Sequence, residues 1–229
     1  MKLSIVIPVY NEYQTLERLL DAVAASPVKE KEIILVDDFS SDGTRELLSG
    51  LAGKYAKLVL HEKNQGKGAA IRSGLKECSG DVVIIQDADL EYDPNDYGRL
   101  LEPIEKGRAD VVYGSRFLNK DGFSHAPHLL NRLANRVLTV ISNIFSGFKL
   151  TDMETCYKMM RRDVVAKIPL EENRFGFEPE ITAKLAKLKI RLLEIPISYR
   201  GRTHDEGKKI GWSDGFRTLY AIMKYNLFR

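Results

Sequence analysis

Short apolar runs alternate with amphipathic helical patterns through the first half of the chain. The runs are rich in isoleucine and valine, which is typical of strands buried on both faces of a parallel sheet. They predict five strands, at Leu3–Val9, Ile33–Asp37, Lys57–His61, Val82–Gln86 and Val111–Gly114. Helical patterns separate these strands, at Thr15–Ala25, Thr44–Lys54, Lys67–Cys78 and Asn95–Lys106. The alternation predicts an α/β fold with a mostly parallel central sheet and helices on both faces.

The second half of the chain is more varied. It predicts helices at Leu129–Phe145, near Pro179–Leu188 and near Asp214–Leu227, and a strand at Arg191–Ile195. The polar segment Tyr199–Gly211 contains three glycines and is predicted to be a mobile loop. No apolar stretch reaches the roughly 18 residues that suggest a membrane span, and the N-terminus is typical of a first strand rather than a signal peptide.

Composition narrows the functional classes. The 229 residues, 44% hydrophobic and 29% charged, are enough for one substantial core, and we expect a single domain. A net charge of +3, from 35 basic and 32 acidic residues, does not imply wholesale nucleic-acid binding, and we expect no nucleic-acid partner. The two cysteines form no ligand cluster, which suits a reducing compartment. A metal site would therefore use oxygen ligands.

Carboxylates appear abruptly where the fourth predicted strand ends, in Asp87-Ala88-Asp89-Leu90-Glu91. If the backbone stays extended, Asp89 and Glu91 point the same way and can hold Mg²⁺ or Mn²⁺ on a diphosphate. Asp87 would then face elsewhere, towards a base or ribose. The alternative is a set of solvated acids that cap the next helix, and the motif by itself leaves both interpretations open.

Two further polar segments follow predicted strands. In the first, Val36–Thr44, Asp38 can accept hydrogen bonds from a nucleobase, while Asp42 or Ser41 caps the next helix. The second, Asn64–Ala70, lacks the spacing and ending of an ATPase phosphate loop. Lys67 supplies a cation there, but tight packing explains its small residues equally well.

These segments together resemble family 2 glycosyltransferases of the GT-A fold, especially polyprenyl-phosphate sugar synthases such as the dolichyl-phosphate mannose and glucose synthases. The shared motifs, in family order, are Pro8-Val9-Tyr10-Asn11-Glu12, Val36-Asp37-Asp38-Phe39-Ser40-Ser41-Asp42-Gly43-Thr44, Asn64-Gln65-Gly66-Lys67-Gly68, Asp87-Ala88-Asp89 and Gly114-Ser115-Arg116-Phe117. The resemblance extends from Lys2 to about Lys209. It implies a Rossmann-like sheet in one catalytic domain, with a nucleotide-binding half at 1–117 and an acceptor-binding half at 118–229.

The resemblance also implies an activity. This is the inverting, Mg²⁺- or Mn²⁺-dependent transfer of a hexose from a nucleotide-diphosphate sugar to a polyprenyl phosphate, with a UDP-glucose type of donor favoured over GDP-mannose. The implied nucleotide-sugar-binding residues are Pro8, Tyr10, Glu12, Val36, Asp38, Lys67, Asp87, Ala88 and Asp89, with Asp89 and Glu91 on the metal and Arg116 and Arg132 on the acceptor phosphate. One departure is Glu178, because the mannose synthases tend to carry lysine there.

Charge development on the leaving diphosphate calls for cations, and we expect Arg202 and Lys208 of the glycine-containing loop to supply them. The role of Asp152 depends on the acceptor. A hydroxyl acceptor needs a general base, for which Asp152 is the best candidate, and the protein would then be a soluble glycosyltransferase acting on a saccharide or small molecule. A phosphate acceptor needs no base, and Asp152 would orient an arginine or the sugar. Arg116 and Arg132 favour phosphate.

Two other questions stay open at this level. A non-catalytic nucleotide-sugar-binding protein could be built on the same scaffold, although the complete carboxylate set argues against it. The helix at Leu129–Phe145 either lies in a membrane interface and receives a polyprenyl chain, or packs on the sheet. We expect a cytoplasmic protein, with peripheral attachment to the cytoplasmic face of the membrane as the second alternative.

Overall fold

A computed structural model describes residues 1–118, 129–174, 176–201 and 212–228. Seven strands are formed: β1 Leu3–Val9, β2 Lys31–Asp37, β3 Lys57–Leu60, β4 Val82–Ile85, β5 Val111–Ser115, β6 Lys158–Arg161 and β7 Leu192–Pro196. The helices are α1 Leu16–Ala25, α2 Thr44–Gly50, α3 Lys67–Lys76, α4 Tyr97–Glu105, α5 Leu129–Ser146, α6 Arg162–Val165, α7 Phe177–Ala186 and α8 Trp212–Met223. A short 3₁₀ helix, Pro94–Asp96, precedes α4, and a π-helical turn, Lys224–Phe228, follows α8.

The strands form one sheet in the order β3-β2-β1-β4-β6-β5-β7. All neighbouring pairs are parallel except those of β6, which is antiparallel to both β4 and β5. The predicted α/β fold with a mostly parallel sheet is therefore confirmed, and so are the five strands of the first half. Strand β6 was not predicted, because Lys158-Met159-Met160-Arg161 is short, carries a charge at each end and lacks β-branched residues.

Helix α1 shows why the amphipathic patterns fold as they do. Its buried residues Leu16, Leu19, Leu20 and Val23 recur at the spacing that places them on one helical face. That face belongs to the main core, together with the fully buried side chains of β1 and β4. The connections keep the parallel strands in register, with Val9 of β1 opposite Asp37 of β2, so the polar segments that follow the strands meet at one edge.

The small residues of α3 allow two close approaches. A Cβ atom on Gly74 would lie 2.5 Å from Cγ1 of Val6 in β1, so the glycine lets the helix lie directly on the sheet. A Cβ atom on Gly68 would lie 2.3 Å from the backbone oxygen of Glu172, in the segment that precedes α7. Tight packing therefore explains part of the glycine content of this region.

Helices α5, α7 and α8 pack against one another beside the sheet. The end of α5 is tied to the chain that follows it, because the Asn143 side chain exchanges hydrogen bonds of 2.8 and 2.9 Å with backbone groups of Leu150. Thr139 of the same helix accepts a bond from the backbone amide of Met153 at 3.2 Å. These contacts fix the loop that carries Asp152.

None of the helices in the described ranges combines the length and the apolarity that a bilayer crossing needs.

Candidate active site

Polar segments from β1, β2, β4 and β5 lie together at the carboxyl edge of the sheet, where ligands of open α/β sheets bind. The segments after β1 and β2 are joined by direct bonds. The Asn11 side-chain oxygen accepts from the backbone amide of Ser41 at 2.8 Å, and the backbone amide of Asn11 donates to the Ser40 hydroxyl at 2.9 Å. Asn11 adopts a left-handed backbone with φ of 55°, which asparagine tolerates better than most residues. The two segments therefore form one wall.

Asp38 holds the segment that precedes α3. Its carboxylate accepts bonds from the backbone amides of Gln65 and Gly66, at 2.8 and 2.6 Å, and lies 2.7 Å from Nδ1 of His61. The other ring nitrogen of His61 lies 2.9 Å from the Ser73 hydroxyl. Asp38 is only 3% exposed. These contacts give Asp38 a structural role, and its contact with a nucleobase stays a prediction.

Lys67 lies between two carboxylates at the start of α3. Its ammonium group is 2.9 Å from Asp87 and 3.1 Å from Glu178 of α7. Burial disfavours the charge of this lysine, but Asp87 and Glu178 outweigh burial and hold its pKa well above the usual value. Glu178, where the mannose synthases tend to carry lysine, therefore balances the charge of Lys67. Lys67 in turn holds the Asp87 carboxylate in place.

The backbone at Asp89–Glu91, just after β4, forms a turn and is not extended as the metal prediction supposed. Leu90 has a φ of 62°, and the Glu91 backbone amide donates to the Asp89 carboxylate at 3.1 Å. A turn, instead of strand alternation, therefore places the Asp89 carboxylate against the backbone of Glu91. Glu91 also accepts a 2.7 Å bond from the Tyr199 hydroxyl, which fixes its carboxylate from the far side.

The carboxylates of Asp89 and Glu91 suit a divalent metal ion that binds together with the phosphate groups of a substrate. Within the described ranges, no group of three or more histidine, cysteine or acidic side chains is placed to hold a metal ion. Mg²⁺ in proteins is commonly held by one or two carboxylates together with substrate phosphate oxygens and water. The half-buried carboxylates of Asp89 and Glu91 match that arrangement.

Arg116 and Asp152 form a buried ion pair just beyond β5. Asp152, which has no exposed surface, accepts bonds from Nε and Nη2 of Arg116 at 2.7 and 2.8 Å, and from the Arg116 backbone amide at 3.0 Å. Burial opposes the charge of Arg116, but Asp152 holds its pKa well above the usual value. The guanidinium also lies 5.2 Å from the centre of the Tyr199 ring. Tyr199 therefore connects this ion pair to Glu91.

The other predicted site residues have different positions. Pro8, Tyr10, Glu12 and Ala88 lie in or beside the edge, where the Thr15 hydroxyl donates to both Glu12 and the backbone oxygen of Ala88 at 2.8 Å. Val36 is fully buried and packs with Ile34 and Ala70, so its side chain lies in the core. Arg132 is half-buried in the first turn of α5. Arg202 and Lys208 lie outside the described residues.

Sequence reasoning missed four residues of this edge: His61, Glu154, Glu178 as a partner of Lys67, and Tyr199. His61 is the last residue of the predicted strand Lys57–His61, and this position at a strand end could have marked it as a site residue. Glu154 belongs to the segment Thr151–Lys158, whose acids were visible although their positions were not. Tyr199 had no signal, because its place beside Glu91 depends on how the chain after β7 returns to Tyr92.

Comparisons with known proteins agree with this architecture. A family model described as "Glycosyl transferase family 2" matches residues 4–169. The chain is 30% identical, over 98% of its length, to a dolichol-phosphate mannosyltransferase from Pyrococcus furiosus, of which it covers 64%. It is 34% identical, over 90% of its length, to an undecaprenyl-phosphate 4-deoxy-4-formamido-L-arabinose transferase from Edwardsiella ictaluri, of which it covers 62%. The chain thus spans slightly under two thirds of the length of these curated relatives.

Solved structures include a close match in fold. Glucosyl-3-phosphoglycerate synthase from Mycobacterium tuberculosis, in complex with Mn²⁺, uridine diphosphate and phosphoglyceric acid, superposes with a TM-score of 0.73 at 19% sequence identity. The match covers 100% of this chain and 79% of that chain. At this level of identity the likeness bears on the fold alone, and it confirms the fold that the sequence motifs predicted.

Proposed function

The chain belongs to glycosyl transferase family 2, and on that premise we propose that it is a metal-dependent, inverting glycosyltransferase. Its donor is a nucleotide-diphosphate hexose, of the UDP-glucose type in preference to GDP-mannose, and its acceptor is a polyprenyl phosphate. Two relatives whose names specify lipid-phosphate chemistry support this acceptor. The observation that carries the proposal is the Arg116 guanidinium, held by Asp152 and joined to Glu91 through Tyr199.

The nucleotide side of the proposal follows from the charges around β4. Asp89 and Glu91 would hold Mg²⁺ or Mn²⁺, which would stabilise the negative charge that develops on the leaving diphosphate. Lys67 fixes Asp87, which in turn faces the nucleoside. The wall that Tyr10–Glu12 forms together with the segment after Asp38 would line the base. Arg202 and Lys208, which lie outside the described residues, would supply positive charge to the diphosphate.

The acceptor side follows from the arginines. A guanidinium has five N–H donors, and Asp152 accepts from two of them, so Arg116 retains the capacity to bind a phosphate oxygen. Arg132 supplies a second cation from α5. A phosphate is already ionised near neutral pH and attacks the anomeric carbon without a general base. Binding and orientation are therefore the main tasks of these residues.

The alternative, a hydroxyl acceptor with Asp152 as the general base, has less support. A base must reach the proton that it removes, but Asp152 is fully buried and both of its oxygens accept bonds from Arg116. Among the described residues, the hydrogen bonds to this carboxylate all come from Arg116, as expected for a side chain that orients the arginine. We therefore assign Asp152 a positioning role.

Peripheral attachment to the cytoplasmic face of a membrane completes the proposal. Four apolar side chains of α5 at helical spacing are 49–73% exposed: Leu133, Val137, Val140 and Ile144. On α8 and the turn after it, Phe216, Tyr220, Leu227 and Phe228 are 50–78% exposed. The α5 sequence contains two arginines and no acid. Exposed apolar faces with flanking basic residues are typical of helices that lie in a membrane interface.

A transfer assay tests the proposal. The protein is incubated with radiolabelled nucleotide sugars, polyprenyl phosphate and Mn²⁺, and we expect a labelled product that partitions into organic solvent. Asp89→Ala should abolish both this product and metal-dependent nucleotide binding, while Asp21→Ala, a change at an exposed acid of α1, should leave both intact. Absence of an extractable product with every UDP- and GDP-hexose would overturn the proposal.

A further inference from the structure

Glu154 has a polar atom without a partner near the centre of the candidate active site. It lies in the segment between α5 and β6, two residues after Asp152. Its side chain is part-buried, and its Oε1 atom is fully buried yet has no hydrogen-bond partner within the described part of the chain. A buried oxygen without a partner is costly, and natural structures tend to retain one where a ligand or a functional constraint requires it.

The two cations that interact electrostatically with Glu154 are hydrogen-bonded to other groups. Lys158 is fully buried, but its ammonium group donates to the backbone oxygens of Met153, at 2.8 Å, and of Thr155. Arg116 is bound to Asp152. The carboxyl group of Glu154 is therefore left between charges that are already paired with other groups.

The charged groups that act on Glu154 come from four elements. They are Glu178 of α7, Lys158 of β6, Arg116 after β5 and Asp152 of its own segment. Burial is the largest influence and Glu178 the second, and both raise the pKa of Glu154; the two cations oppose them. The resulting pKa is about 8, so the carboxyl group carries a proton at neutral pH.

We propose that Glu154 is a sugar-binding residue whose carboxyl group hydrogen-bonds a hydroxyl group of the transferred hexose. The inference rests on the proposed function, and it is motivated by the partnerless buried oxygen of a side chain that interacts electrostatically with Glu178, a partner of Lys67, and with the Arg116–Asp152 pair. A protonated carboxyl group both donates and accepts, which matches the donor and acceptor capacity of a sugar hydroxyl. An ionised one would repel the diphosphate and the acceptor phosphate on either side of it.

Binding measurements with two variants test this assignment. Glu154→Gln keeps the shape and the donor-acceptor character, whereas Glu154→Ala removes both. Each protein is titrated by calorimetry, in the presence of Mg²⁺, with a nucleoside diphosphate and with the corresponding nucleotide-diphosphate hexose. The nucleotide is chosen as one that binds wild-type protein in both forms. We expect the nucleoside diphosphate to bind all three proteins equally. The additional affinity due to the hexose should fall about three- to tenfold in Glu154→Ala and be retained in Glu154→Gln.

The pH dependence separates a sugar contact from a purely structural role. In wild-type protein the hexose contribution should be present below about pH 8 and be lost as the pH rises through that value, whereas Glu154→Gln should retain it. This comparison does not depend on whether Glu154→Ala folds. Equal hexose contributions in all the proteins that fold, or the same pH profile for wild type and Glu154→Gln, would overturn the assignment of Glu154. If wild-type protein binds no nucleotide or nucleotide sugar, the proposed function fails and the assignment fails with it.

Discussion

Replacement of Asp152 by asparagine distinguishes a positioning role from a general base. The change keeps the shape of the side chain but removes its charge, leaving the guanidinium of Arg116 without the carboxylate that accepts two of its donors at 2.7 and 2.8 Å. Asp152 has no exposed surface, and the Arg116 side chain is 13% exposed. Solvent therefore cannot compensate fully for the lost charge.

The structure sets the expected magnitude. Removal of one partner of a buried ion pair typically costs about 3–5 kcal/mol, because the remaining charge stays buried. Asparagine can still accept one hydrogen bond, so we expect the lower end, about 3 kcal/mol. For a domain of 229 residues this corresponds to a drop in Tm of roughly 6–12 °C.

Two assays measure the consequences. Urea denaturation gives the stability of wild type, Asp152→Asn, Arg116→Gln and the double variant, and the double variant should cost clearly less than the sum of the single changes. Kinetics with polyprenyl phosphate should show a raised KM for the acceptor, because Arg116 is no longer held in place, with unchanged nucleotide binding. A stability loss below about 1 kcal/mol, together with a collapse of kcat at unchanged acceptor KM, would refute the positioning role and support the base.

Three further predictions follow from other contacts. In the urea denaturation assay, Gly68→Ala should destabilise the protein by about 1–3 kcal/mol, because its Cβ atom would meet a backbone oxygen at 2.3 Å. The control Gly50→Ala in α2 places its Cβ atom where nothing lies within 4 Å, and it should be neutral or stabilising. Glu154→Gln should exceed wild type in stability by roughly 1–3 kcal/mol at about pH 9 and not at about pH 4. Wild type is protonated in both the folded and the unfolded state below pH 4.5; as the pH rises towards about 8 the unfolded state ionises while the folded state keeps its proton, and stability is lost. Equal denaturation curves at both pH values would contradict the raised pKa. Ile144→Ser should weaken co-sedimentation with anionic lipid vesicles several-fold, while Leu60→Ser, at another exposed apolar residue, should not; equal effects would argue against α5 as the contact surface.

Local pattern was sufficient for much of the fold and for the position of the site. Runs rich in isoleucine and valine predicted β1, β2, β4 and β5, because a strand that is buried on both faces must be apolar along its length. The partly exposed edge strands β3 and β7 were predicted from shorter apolar runs. Parallel strands connected by helices bring their carboxyl ends to one edge, which is why Asp38, Asp87 and Arg116, each just after such a strand, gather there. The order of the motifs also identified the family, which the family model confirmed.

The contacts that decide the chemistry were not readable in the same way. Insertion of β6 between β4 and β5 is a matter of sheet pairing, and its four residues carry no strand pattern of their own. The turn at Leu90 replaced the extended backbone on which the metal prediction was based.

Asp152 illustrates the general limit. The sequence left it open as a base or as a partner of an arginine, and it is 36 residues from Arg116 along the chain. Whether a carboxylate stays available for proton transfer depends on its burial and on which donors surround it, and both depend on packing between α5, β5 and the segment that connects α5 to β6. The sequence by itself therefore determined which residue types reach the edge of the sheet, whereas the tertiary structure alone decided which of their charges are paired with each other and which face a ligand.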